Sequence, residues 1–332
     1  MVQVSVIIPA FNAGRYLTAT LRALSLQTVS DFEVIVVDDG SVDDTVQVAS
    51  QFPDRRVRVY SRSNVGQSAA SNFGCSVATG QYVKFVDADD LLNPQHLQLQ
   101  LASLQSHPRH VACCSWGYFR ESTTRFCIRS EIANADYSDP LDWIVDSLSC
   151  DEGMMGAWRW LIPRAVWDAC GGWNEELSLN NDFDLSIRVL LASSGVRFSA
   201  GAVYYYRKGV SGALSGSVSR RSQESAYLTT LLGTRSLLQR EDSPRIRRLC
   251  ADRFQQWVFR FFPEFPDLVL QAEQQIQDLG GSRLQMQGGR LLRFLLPAIG
   301  WRNVRRLQVL AQRLGWQKVQ RWKQQRRLRQ IP

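Results

Sequence analysis

A chain of 332 residues, 45% hydrophobic and 21% charged, can bury a sizeable core and is neither disordered nor fibrous in composition. Its net charge of +8 is unevenly placed: thirteen Lys and Arg and no acid follow Asp278, so the remainder carries −5. An acidic body with a basic end argues against a nucleic-acid-binding fold and for a surface partner at that end. Seven cysteines without a C-x-x-C pair give neither a disulfide framework nor a zinc pattern. They read as buried free thiols. No apolar run reaches the ~20 residues a bilayer span needs, and residues 2–8 start a strand with no basic leader. The expected location is therefore cytoplasmic.

Taken in order, residues 4–8 read as a buried strand, and 16–25 as a helix with Leu17, Leu21 and Leu24 on one face. Residues 32–37 form a second strand running into Asp38-Asp39-Gly40-Ser41, with a helix over 42–51 capped by Ser41. A strand at 57–61, a helix at 67–78 and a strand at 82–86 follow, the last ending in Asp87-Ala88-Asp89-Asp90. Pro94 opens a helix to about Ser106. This alternation predicts α/β architecture with a mostly parallel sheet. Between 111 and 216 the pattern is mixed, with strands at 111–119 and 203–207 and helices at 163–170 and 182–193. From Ser219 the chain reads as helical, rich in Gln and Arg, and broken near Pro263, Pro266 and Gly280-Gly281. The expected domains are 1–216, with a nucleotide-binding half to about 110 and an acceptor half beyond it, and a basic helical extension over 217–332.

Polar residues recur just past the strand ends, where open α/β sheets bind ligands. Asp87-Ala88-Asp89 sets two carboxylates one residue apart on a turn leaving a buried strand. Such a pair can hold Mg²⁺ or Mn²⁺, which bridge to phosphates with few protein ligands; alone, it reads sooner as a capped turn. Asp38 and Asp39 end the second strand and can accept from the imide N–H of a uracil. Pro9-Ala10-Phe11-Asn12 closes the first strand with a ring and an amide. Asn64 and Gly66 open the third helix, where a glycine and free N–H groups favour approach of an anion. All four pieces fall on one sheet edge.

These segments, with FEVIVVDDGS at 32–41, NVGQSAASNFG at 64–74 and GQYVKFVDADD at 80–90, make residues 4–90 resemble the N-terminal half of a family 2 glycosyltransferase of the GT-A fold. The resemblance implies that Pro9, Phe11, Asn12 and one or both of Asp38 and Asp39 line a nucleoside pocket, with Ala10, Asn64 and Gly66 as further nucleotide-binding candidates. It implies that Asp87, Ala88 and Asp89 meet the ribose and a metal-bound diphosphate. One departure is Ser71, where many relatives carry Arg before the helix Asn.

GGWNEELSLNNDFDL at 171–185 continues the likeness and aligns Asp182 with the family's catalytic base, while Asn181 replaces the usual Glu before it. One base opposite the leaving diphosphate is what inverting transfer requires. Asp184 is a reserve acceptor-side candidate. Trp158 and Trp160, beside Gly153 and Gly156, read either as a sugar platform or as core. No His follows the last strand, and Arg207 or Lys208 before Ser211-Gly212-Ala213 is a possible diphosphate contact. The three histidines read as structural or surface groups.

The expected activity is inverting transfer of a sugar from a nucleotide-diphosphate donor, UDP-sugar favoured, to a glycan or lipid-linked acceptor in surface polysaccharide or glycoconjugate synthesis. Rival readings are a non-catalytic sugar-nucleotide-binding relative and a sugar-phosphate nucleotidylyltransferase. The last lacks its Gly-rich, Arg-bearing loop after the first strand. The basic residues from Arg302 to Arg329 interleave with Leu, Val and Trp, which suits either an anionic membrane surface or a solvated packed helix.

Overall fold

A computed structural model describes residues 2–149, 153–210, 214–286 and 290–313 of the chain. The chain forms two compact units, Met1–Leu249 and Cys250–Pro332. In the first, β1 (Val4–Ala10), α1 (Gly14–Ser25), β2 (Phe32–Asp38), α2 (Thr45–Ser50), β3 (Val57–Ser61), α3 (Gln67–Ser76) and β4 (Tyr82–Phe85) alternate as their apolar periods require. β5 (Leu91–Leu92), α4 (His96–Leu104), β6 (Val111–Phe119), β7 (Cys127–Ile128) and α5 (Pro140–Ser149) follow. β8 (Leu161–Pro163), α6 (Arg164–Cys170), α7 (Asn181–Ala192), β9 (Val196–Arg207) and α8 (Arg220–Arg240) complete the unit, and α9 (Pro244–Phe261) leads out of it. The second unit continues with α10 (Pro266–Asp278) and α11 (Arg290–Arg313), the latter broken at Gly300.

Among the described residues the strands make one sheet in the order β3-β2-β1-β4-β8-β6-β9-β5, with β7 paired to β6. β1 runs parallel to both β2 and β4, so the strand order reverses at β1. An open α/β sheet has its ligand crevice at that switch point, beyond the strand C-termini. β8 is antiparallel to β4 and β6, while β9 is parallel to β6, so β6 and β9 also end on the crevice edge. Every residue of β2 is buried, as a strand covered on both faces requires. Leu17, Leu21 and Leu24 of α1 are at most 1% exposed, so the predicted face is the packed one.

Two boundaries differ from the sequence reading. α2 opens at Thr45, not at 42, because Ser41 is engaged elsewhere: its Oγ accepts the Asn12 N–H at 2.8 Å. β9 starts seven residues before the expected 203, carried by its pairing with β6 through a register shift at Cys114/Ser115. No described helix is long and apolar enough to cross a membrane.

Candidate active site

The loop after β1 is built by Asn12, whose φ of 49° turns the chain sharply after Phe11. Its side-chain oxygen accepts the Val42 N–H at 2.9 Å, binding this loop to the one after β2. Asp38, at the end of β2, is buried and accepts the Ser41 N–H at 3.1 Å. Asp39 is buried too, and its carboxylate grips the third loop: Oδ1 accepts from Val65 N and Oδ2 from Gly66 N, both at 2.9 Å. The amides expected to be free for a ligand are thus held by a carboxylate of the chain itself. Gly66 turns at φ 105°, and no atom lies within 4 Å of where a Cβ would stand. Asn64 and Phe11 are exposed, Phe11 at 53%. Three loops, a ring and two carboxylates therefore form one wall.

Because charged acceptors hold N–H groups by about 1.5–3 kcal/mol, Asp39→Ala is expected to speed local opening at Val65 and Gly66 about 10- to 100-fold. Amide hydrogen exchange at those two residues is the check, with β2 as internal control.

The second wall is acidic. β4 delivers Asp87, Ala88, Asp89 and Asp90 to the crevice edge. Asp87 and Asp89 are half-buried, Asp90 is 1% exposed, and Ala88 is buried with its carbonyl taking the Thr20 hydroxyl at 2.9 Å. Burial pushes the Asp87 carboxyl up, and the charges of Asp182 and Asp89 push it further. Asp182 opens α7 and so comes from a segment far along the chain to the same cluster. Its Oδ1 accepts the Ala157 N–H at 2.9 Å. Burial raises the Asp182 carboxyl to about 6 against that hydrogen bond.

Asn181 is buried and joins the two walls. Its Oδ1 accepts the Asp182 N–H at 3.0 Å and its Nδ2 donates to Ser68 Oγ at 3.1 Å. In place of a Glu it adds no charge to an already crowded acidic edge. Ser71 is fully buried in α3, and its Oγ has no hydrogen-bond partner among the described residues.

β9 supplies Tyr204, which the sequence reading missed, and Arg207, which it had noted. The Tyr204 hydroxyl accepts the Asp87 N–H at 3.1 Å and lies against Asp90. Arg207 donates from its backbone N–H to Asp90 Oδ1 and from Nε to the Asp89 carbonyl, both at 2.6 Å. Its guanidinium sits 4.3 Å from the Phe119 ring and 4.9 Å from Tyr16, so it borders the acidic edge as an anchored cation. Lys208 lies over the Tyr118 ring. Ser211, Gly212 and Ala213, noted in the sequence, lie outside the described residues.

Trp158 and Trp160 are core, not platform. They are 3% and 0% exposed; Trp158 stacks on Tyr204 at 4.4 Å and Trp160 donates from Nε1 to Ser186 Oγ at 3.0 Å. Asp184 points to another neighbourhood, paired with Arg188 at 2.5 Å. Helical residues two apart do not share a face, and Arg188 further holds the Cys170 and Gly172 carbonyls at 2.6 Å. A second hidden participant is Lys84, fully buried on β4, whose Nζ donates to the Trp158 carbonyl at 2.6 Å. The sequence signal for it was a lone cation inside an apolar strand. His96 is buried with Nδ1 on the Val203 carbonyl, a structural position.

The acidic edge fits a divalent cation. The charges that act on Asp87 are the carboxylates of Asp182 and Asp89, and the cation that acts on Asp89 is Arg207. Among the described residues no three His, Cys, Asp or Glu converge as a complete cage. An ion here would need further ligands from outside these side chains, as Mg²⁺ commonly takes.

A sheet reversing at β1, three hydrogen-bonded loops at its edge and carboxylates at the β4 end make a GT-A-like fold. Residues 5–155 match the family model described as "Glycosyl transferase family 2". The chain is 32% identical over 162 residues to glycosyltransferase GlyG of Streptococcus pneumoniae, covering 47% of this chain and 51% of that protein. It is 37% identical over 169 residues to the uncharacterized glycosyltransferase YibD of Escherichia coli, covering 49% of each. The chain thus spans about half the length of the curated relatives it matches. Its fold matches the crystal structure of S. aureus TarS 1–349, with a TM-score of 0.66, 21% identity and coverage of 84% of this chain and 81% of that one. TarS 1–349 has also been crystallised with UDP-GlcNAc and with UDP.

Proposed function

We propose that this chain is an inverting glycosyltransferase that moves a sugar from a UDP-sugar to an acceptor hydroxyl, with Asp182 as general base. The observation that carries the reading is the half-buried Asp182 carboxyl, oriented by the Ala157 N–H and set against the Asp87 edge at the sheet's switch point. The donor reading is supported by the fold shared with a protein crystallised with UDP-GlcNAc.

In this scheme the acceptor oxygen attacks the anomeric carbon as the bond from that carbon to the diphosphate oxygen breaks, and the hydroxyl proton passes to Asp182. A carboxyl raised to about 6 is ionised at neutral pH yet a stronger base than a solvated Asp. Phe11 offers a face to the nucleobase, and the Asp38–Asp39 corner with Asn12, Asn64 and Gly66 frames it. Asp87 and Asp89 would hold a Mn²⁺ or Mg²⁺ ion, which would supply neutralisation of negative charge on the diphosphate. Arg207 holds the Asp89 backbone in place through its Nε hydrogen bond to the Asp89 carbonyl. The acceptor on this reading is a glycan or lipid-linked hydroxyl in surface polysaccharide or glycoconjugate synthesis, met in the cytoplasm.

Calorimetric titration with UDP, GDP and dTDP, in Mn²⁺ or in EDTA, tests the donor site. UDP binding that needs Mn²⁺ and is lost in Asp89→Ala is expected. Absence of binding to all three nucleotides overturns the donor site. Binding without turnover on any UDP-sugar leaves the non-catalytic relative standing in its place.

A further inference from the structure

In the second unit, arginine crowds around aromatic rings. Trp301 of α11 packs edge-on against Phe259 and Phe262 at 5.1 and 5.4 Å. Around them stand Arg302, 5.4 Å from Trp301, and Arg306, 5.3 Å from Phe262, while Arg305 donates from Nε to the Phe262 carbonyl at 3.3 Å. Arg260 lies 4.7 Å from the Trp257 ring and within repulsive reach of both Arg253 and Arg305. Arg302 is paired with Glu273, and Arg305 has Glu264 nearby. The five guanidiniums named here outnumber the two acids beside them, so the cluster carries an excess of positive charge that favours anions.

The exposed face of α11 says which kind. Beyond Gly300, Val304 is fully buried while Arg302, Asn303, Arg306, Leu307 and Leu310 are exposed, the two leucines at 49% and 54%. At 100° per residue these five fall on one stripe turned away from Val304. The stripe therefore joins cations to bare leucine on one face. A soluble polyanion would engage the arginines and leave the leucines in water. A lipid surface takes both: phosphate headgroups for the guanidiniums and the acyl boundary for the leucines. The sequence adds six more Lys and Arg over 314–332, again without an acid.

We infer that the α11 stripe, with the arginine–aromatic cluster beside it, docks on an anionic phospholipid surface as an in-plane interfacial helix. The inference stands independently of the transferase reading, since none of these residues belongs to the candidate active site.

The test is co-sedimentation of the full chain with vesicles of phosphatidylcholine alone, or of phosphatidylcholine with about one-third phosphatidylglycerol, enough anionic lipid to set up an attractive surface potential. Variants are Arg302→Gln/Arg306→Gln and, at unchanged charge, Leu307→Ser/Leu310→Ser. Wild type should bind the anionic vesicles and not the neutral ones. Each double variant should lose about tenfold or more in partitioning, from the missing attraction of two cations to the surface or from lost apolar burial. The replaced side chains are exposed, and both variants should retain wild-type circular dichroism and melting, which shows that losing the Arg302–Glu273 pair leaves the fold intact. No binding to anionic vesicles overturns the inference. So does a leucine variant that binds as wild type while heparin competes wild type off the vesicles, since that pattern marks a polyanion site instead.

Discussion

Asp182→Asn is expected to lower kcat by about 10²–10⁴-fold, the usual contribution of a positioned general base. Donor affinity should hold or improve, because the change removes a like charge acting on Asp87. In the wild type, kcat/KM should rise with pH along a limb centred near 6, where burial has set the Asp182 carboxyl. Stability should move the other way. A carboxyl whose proton affinity is higher folded than unfolded makes the folded state bind more protons between about pH 4 and 6. Stability therefore falls as pH rises through that window. The Asp182→Asn variant escapes this loss, so without metal it should melt higher than wild type at about pH 8, and the gap should close below about pH 4. Steady-state rates with melting scans on the two proteins measure both effects. An Asp182→Asn protein of full activity would put the base elsewhere.

Arg159→Met is expected to be the most destabilising single change near the site, by about 3–5 kcal/mol, the cost of stranding one partner of a buried ion pair. Arg159 is fully buried, pairs with Glu131 Oε2 at 2.7 Å and donates to the Met154 carbonyl at 3.1 Å. Glu131 would keep the Trp116 Nε1–H, at 3.0 Å, but lose its counter-charge. The damage should reach catalysis, since Arg159 ends the turn Ala157–Arg159 that offers the Ala157 N–H to Asp182. Urea unfolding reads the stability, and kcat on the folded fraction reads the misplaced turn. Arg159→Met/Glu131→Leu should recover most of the stability, because a matched apolar pair leaves no orphaned charge. A single variant within about 1 kcal/mol of wild type in urea would refute the stranded charge as a dominant cost.

The first half of the chain was legible because each strand and helix there carries its own period. β1, β2, β3, α3 and β4 fall within a few residues of the reading, and β6 coincides with it. β5, β7 and β8 are two or three residues long, too short for any pattern to show. The start of β9 was hidden because pairing with β6, not local sequence, fixes it. Site legibility followed the same line. Asp38, Asp39, Asp87, Asp89 and Asp182 sit at element ends, where chemistry and position coincide. Lys84, Tyr204 and Arg159 matter through partners 74, 117 and 28 residues away, which spacing alone does not reveal. The tryptophans at 158 and 160 were ambiguous for that reason, and the interior claimed them.

Lys84 has a further consequence for experiment. The chain holds 35 arginines but only four lysines, at 84, 208, 318 and 323. The one at 84 is sealed in the sheet interior, where burial lowers its ammonium to about 8. Around neutral pH much of its barrier to amine-reactive reagents is access and not protonation. A protease that cuts after lysine is likewise shut out until the strand beneath the acidic edge comes apart. Acylation or cleavage at this position is thus a built-in clock for opening of the central sheet, readable by mass spectrometry.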